Sequence, residues 1–255
     1  MLRILESDFY KLGKSRAFWY SFFSCSAFAV FMVTAMYAGT GRGGPAAHFA
    51  GGVGAVFVLP LLFPMGFHLT FIAIFSSVFV AAEFGHGTMK NALSKGAARS
   101  KVYISKLVVC AFSSVFMLLG FAFAILVSAT IAWGFDPGGL VRIVDLVSMV
   151  SLQGLMVVAY TALFTFVSMT VRGTGGAIAI NVLTVMMASV LLGALSLLFG
   201  EGVNLGSYWL EWGVTNLAVY APTGQTLARG VAIAFAWGIG STAIGLLLFG
   251  RQDVK

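Results

Sequence analysis

Six runs without a charged residue dominate the chain, at 17–41, 43–82, 107–135, 146–171, 173–200 and 230–250. Each is long enough for a membrane-crossing helix of about 20 residues. Their apolar character is continuous and lacks the alternation of a barrel strand, so the pattern predicts helices. The predicted spans are 17–38, 57–82, 103–133, 146–171, 176–199 and 230–250. Pro60 and Pro64 near the start of the second predict a kink or a delayed regular helix. Trp19 and Tyr20 at one end of the first span and Tyr37 at the other fit interfacial anchors. Gly-rich residues 39–54 read as a connection, as do the turns Trp133-Gly-Phe-Asp-Pro-Gly-Gly and Arg172-Gly-Thr-Gly-Gly.

Two segments break the pattern. In residues 1–16, Leu2, Leu5, Phe9 and Leu12 recur at helical spacing with Glu6, Lys11 and Lys14 elsewhere on the wheel. That predicts an amphipathic helix lying in the membrane interface. Residues 200–229 mix Trp209, Trp212 and Tyr220 with Glu211, Asn216, Pro222, Gly224 and Gln225. The uncharged part, 212–228, is short, polar and broken, so it is expected not to cross. It predicts an outer interfacial or re-entrant element, because irregular backbone at membrane depth must be sheltered by protein.

Composition makes the membrane assignment firm. The chain of 255 residues is 60% hydrophobic and only 9% charged, with a mean hydropathy of +0.99. A soluble domain carries about a quarter charged residues. The fold class is therefore an all-α integral membrane protein, one six-span domain over residues 1–255 with no room for a separate soluble one. A net charge of +7 raises the question of nucleic acid, but its distribution answers it. Twelve Lys and Arg fall within 1–16, 90–106, Arg172, Arg251 and Lys255, against Arg42, Arg142 and Arg229 on the other side of a six-span arrangement. The positive-inside rule then puts both termini in the cytoplasm of a cell membrane, with no nucleic-acid partner. Cys25 and Cys110 lie in predicted spans and read as small buried apolar residues. The apolar run after the basic N-terminus is too long for a signal peptide's core, and its retention is expected.

The polar island at 83–106 reads Glu-Phe-Gly-His-Gly-Thr-Met-Lys-Asn-Ala-Leu-Ser-Lys-Gly-Ala-Ala-Arg-Ser-Lys-Val-Tyr-Ile-Ser-Lys. Lys95 and Arg99 are four apart and share a helical face, with Lys90 displaced from it. The order Glu83, Gly87, Thr88, Leu93, Gly96, Arg99 and Lys106 resembles the cytoplasmic loop between the second and third spans of ABC-2 type permeases. The layout of the whole chain is similar too, and it looks like the branch that includes peptide-antibiotic and lantibiotic immunity exporters. The resemblance implies an N-terminal interfacial helix, a short cytoplasmic coupling helix docked on an ATPase, and an outer re-entrant element before the last span. It implies an ATPase interface at Glu83, His86, Gly87, Thr88, Lys90, Asn91, Leu93, Ser94, Lys95, Gly96 and Arg99. It further implies a second copy or paralogue of the permease, with ATP and Mg held by the partner ATPase and no cofactor bound by this chain.

The remaining chemistry is sparse. No G-x-x-x-x-G-K-[ST] occurs, so the chain has no P-loop for ATP phosphates. His48, His68 and His86 are 20 and 18 residues apart without a Cys or carboxylate cluster, which argues against a metal site. His68 alone sits in a span, and a bond to a backbone carbonyl is the expected role. Ser241 lacks the partners of a serine protease. Ser189/Gly193 and Ser241/Gly245 have the small-x-x-x-small spacing that lets helices approach. An ion-coupled secondary transporter or channel is the alternative, but it calls for several intramembrane ionisable residues that the spans lack. A membrane-embedded enzyme would need a clustered catalytic set.

Overall fold

A computed structural model describes residues 2–40, 55–85, 87–89, 94, 96, 98–135, 143–198 and 204–251. The described helices are α1 (Leu2–Lys14), α2 (Arg16–Thr40), α3 (Ala55–Leu62), α4 (Phe67–Gly85), α5 (Arg99–Trp133), α6 (Ile143–Val171), α7 (Thr174–Leu198), α8 (Leu210–Asn216) and α9 (Gly224–Arg251), with a 3-10 turn at Leu205–Tyr208. No strand occurs among the described residues. Six of these helices, α2, α4, α5, α6, α7 and α9, are long and apolar enough to cross a membrane.

α6 is the centre of the bundle. It packs along α9, α5 and α4, while α2 lies on α5 and α4, and α7 on α4. Lipid tails are as apolar as leucine, so close packing and interhelical hydrogen bonds must hold such a bundle together. Both are present. Asn181 of α7 donates to Ser77 Oγ of α4 at 2.8 Å and to Ser168 Oγ of α6 at 3.2 Å, and Thr161 of α6 donates to Ser114 of α5 at 2.9 Å. Of the two small-residue pairs, only Ser241/Gly245 works as a close approach. Gly245 is buried where a Cβ would collide with the Tyr103 phenol, whereas Gly193 is exposed with nothing beside it.

The predicted second span is two helices. Pro64 disfavours helical backbone at Phe63, and Gly66 turns the chain at φ 67°, so α3 stops at Leu62 and α4 begins at Phe67. Pro60 is tolerated inside α3, but its missing N–H leaves the Val56 carbonyl without its helical donor. The Tyr220 hydroxyl donates to that carbonyl at 2.6 Å. The N-terminus of α3 is tied to the far end of α5, with Ala55 N donating to Gly134 O at 2.9 Å.

Helix limits also differ from the predicted ones. α5 begins at Arg99, four residues ahead of the expected 103, because Arg99, Ser100 and Lys101 extend the helix into the polar island. α9 begins at Gly224 and not at 230. Thr223 caps it, accepting from Thr226 N at 3.3 Å, so Gly224 opens the helix instead of breaking it. The irregular segment accordingly ends at 223. Among its described residues the one α-helix, α8, has 7 residues, about 10 Å of rise against the roughly 30 Å of a hydrocarbon core. It does not cross. Gln153 of α6 holds it by donating to Val214 O at 2.9 Å, and Trp237 of α9 donates to Tyr208 O at 2.9 Å.

Candidate functional site

One end of the bundle gathers α1, the end of α4, the start of α5 and the C-terminal turn of α9. Hereafter this is the basic end. α1 places Leu5, Phe9 and Leu12 against the bundle, as the helical spacing predicts. The same face carries Asp8, which is 2% exposed. Asp8 accepts from Lys106 Nζ at 2.7 Å and from Ser105 Oγ at 2.7 Å. Lys106 also donates to Glu83 Oε1 at 2.6 Å, and Lys11 reaches the same Glu83 oxygen at 3.0 Å. Two carboxylates and two ammonium groups thus form one alternating cluster, deep at Lys106 and Asp8 and exposed at Lys11. Lys106 also stands 5.0 Å from the Phe79 ring centre. Burial of an ion is costly unless the partner is close and every polar site is used. Lys106 has two close anionic partners, one oxygen from each carboxylate. A cavity of about 200 Å³ adjoins the cluster, lined in part by Ser7, Thr88 and Val102.

The cluster binds both roots of the 83–106 connector to α1. Glu83 lies in the last turn of α4 and Lys106 is buried two turns into α5, so the connector is a loop closed by its own ion pair. Thr88 donates to Glu83 O at 3.2 Å, Gly87 turns the chain at φ 68°, and Met89 is buried against Val102, Tyr103 and Phe249. Arg99 donates to Gly250 O at 2.9 Å and so secures the C-terminal end of α9. Ser94 and Gly96 are exposed, with Gly96 at φ 82°. His86, Lys90, Asn91, Leu93 and Lys95 lie outside the described residues. At the neighbouring turn, Arg172 sits 5.9 Å over the Phe84 ring.

Two participants, Asp8 and Lys11, escaped the sequence reading of the site, and Lys106 was read only as part of the motif. The signal was present. Asp8 is three residues after Leu5 and four before Leu12, an acid on an apolar stripe, and Lys106 is the last cation before a long apolar run. His68 departs from its expected role. Its ring is enclosed by Phe121 at 5.2 Å and Phe63 at 5.6 Å, and neither nitrogen has a hydrogen-bond partner among the described residues. Aromatic contact replaces the carbonyl bond. No group of His, Cys, Asp and Glu among the described residues is arranged to hold a metal ion.

Six long apolar helices around a polar-stitched core make this a multi-pass α-helical membrane protein. The family model described as ABC-2 family transporter protein matches residues 4–190, from α1 through most of α7. The chain belongs to the ABC-2 transporter family, a family of membrane transport components. No curated protein matches it.

Proposed function

We propose that this chain is the permease subunit of an ATP-binding cassette exporter, driven by a separate ATPase. The observation that carries the reading is the closed connector at the basic end. Its two roots and α1 are joined through Lys106, so a push at the exposed Ser94 and Gly96 is delivered to α4, α5 and α1 together. A chain without a P-loop needs such a handle for work done elsewhere. In this reading the basic end faces the cytoplasm, ATP and Mg are bound by the partner, and two permease copies or paralogues enclose the pathway. The cargo is a hydrophobic or peptide-like compound, and the peptide-antibiotic immunity exporters are the branch it fits.

The test is purification of the tagged chain from its native cells, identification of any ABC ATPase that stays bound, and ATP hydrolysis by that complex in lipid. Gly96→Glu is a poor probe, because φ 82° strains a glutamate backbone and would confound docking with folding. Ser94→Trp and Gly96→Asn add bulk at exposed points, and Asn accepts positive φ. The expected result is an ATPase retained by the wild type and lost, or uncoupled severalfold, in Ser94→Trp. If no ABC ATPase remains bound to the wild type, the reading fails. If both variants hydrolyse ATP like the wild type, the connector is not the handle.

A further inference from the structure

The half of the bundle remote from the ion cluster holds a cavity of about 370 Å³ between the α3–α4 break, α6, α7 and α8. That volume lies in the range of roughly 300–1,000 Å³ typical of small-molecule sites. Its walls are mainly apolar, with Met65, Phe67, Val185 and Met186 among them. Met65 and Met186 are more than half exposed, and thioether side chains adapt to irregular apolar bodies. Tyr160 of α6 and Glu211 of α8 also line it.

Glu211 is the anomaly. Its Oε2 is shielded from solvent and has no hydrogen-bond partner among the described residues. A place in the first turn of α8 supplies favourable backbone charge, yet no N–H reaches that oxygen. No cation pairs with it either, since the ion pairs among the described residues all belong to Asp8, Lys11, Glu83 and Lys106 at the basic end. Arg229, at the start of α9, is engaged elsewhere. It stacks 4.4 Å over Trp212 and donates to Ser207 O at 3.1 Å. Glu211 lines this cavity without a paired cation of its own, so a cationic ligand entering it would meet an uncompensated acidic side chain.

We propose that this cavity binds an organic cation with an apolar body, Glu211 supplying the counter-charge and the methionine-rich wall holding the body. The proposal rests on the permease reading only in taking that cation to be cargo, and binding is measured without any ATPase so that the two can fail separately. The full chain in nanodiscs is titrated with tetraphenylphosphonium and with tetraphenylborate, its anion of the same shape. Tryptophan fluorescence is the readout, and empty nanodiscs correct for partition into lipid. Saturable binding of the cation alone is expected. Glu211→Gln, a near-isosteric change, should weaken it about tenfold or more. Met186→Trp fills the cavity from an exposed position and should weaken it without touching the charge, which keeps the test open if the Gln variant does not fold. Equal binding of the anion overturns the proposal, as does wild-type affinity in a Glu211→Gln protein that elutes like the wild type. Binding that leaves ATP hydrolysis of the ATPase-bearing complex unchanged removes the cargo role and leaves the site.

Discussion

Lys106 carries more of the basic end than any other side chain. Its side chain is 2% exposed, against 3% for the Asp8 side chain and 15% for that of Glu83. Lys106→Met would leave the buried Asp8 with Ser105 as its hydrogen-bond donor and Lys11 no closer than 3.8 Å. Losing one member of a buried pair costs about 3–5 kcal/mol, so a large fall in melting temperature in detergent is expected, read by size exclusion after heating. Asp8→Leu combined with Lys106→Met removes both deep charges. Glu83 keeps Lys11 at 3.0 Å and some solvent, so the double variant should recover most of the loss. If Lys106→Met melts like the wild type, the cluster is not a structural clamp. Tyr220 is a second residue with a specific job. Tyr220→Phe leaves the buried Val56 carbonyl without the donor that Pro60 cannot supply, at a cost of about 1–3 kcal/mol.

Two helix pairs with the same spacing behave oppositely at the scale of elements. Ser241/Gly245 lets α9 approach α5 closely enough for Tyr103 to occupy the space of a missing Cβ. Ser189/Gly193 is on α7, whose Gly193 is exposed. Gly245→Leu must therefore displace a fully buried ring, and about 1–3 kcal/mol or more of stability should be lost. Gly193→Leu should stay within about 0.5 kcal/mol of the wild type. The two thermal melts together decide the matter, and the reverse order of stabilities would show that the α5–α9 crossing is not as described. The α3–α4 break has an equally local cause in Pro64 and Gly66. It makes room for the cavity that Glu211 faces, since residues 64–67 form part of its wall.

Six crossing helices put α1 and the end of α9 at one end of the molecule, where Arg99 reaches Gly250 and Lys106 reaches Asp8. In the proposed orientation that end faces the cytoplasm. In a background with the buried Cys25 and Cys110 replaced, Ser94→Cys should resist an impermeant thiol reagent in intact cells. Tyr208→Cys, exposed at the other end, should be labelled. The opposite pattern would invert the molecule and remove any cytoplasmic ATPase from the connector.

The number of spanning helices, their order and their approximate limits were readable from consecutive residues. A span in lipid must satisfy its own backbone bonds and stay apolar along its length, so its signature is local. The want of a span-length helix among the described residues between α7 and α9 was readable for the same reason, through Pro222 and its scattered polar groups, although Thr223 starts α9 earlier than the polarity suggested. Of the candidate interface, Glu83, Gly87, Thr88, Ser94, Gly96 and Arg99 could be placed, but nothing in their order announced that Glu83 and Arg99 hold partners within the chain. Which faces meet was decided by tertiary structure alone. Asp8 and Lys106 are 98 positions apart, and Tyr220 and Val56 are 164. An apolar helix side looks alike to lipid and to another helix. Sequence pattern therefore cannot say whether Gly193 or Gly245 is packed, nor that Glu211 faces a cavity, and only the fitted bundle distinguishes them.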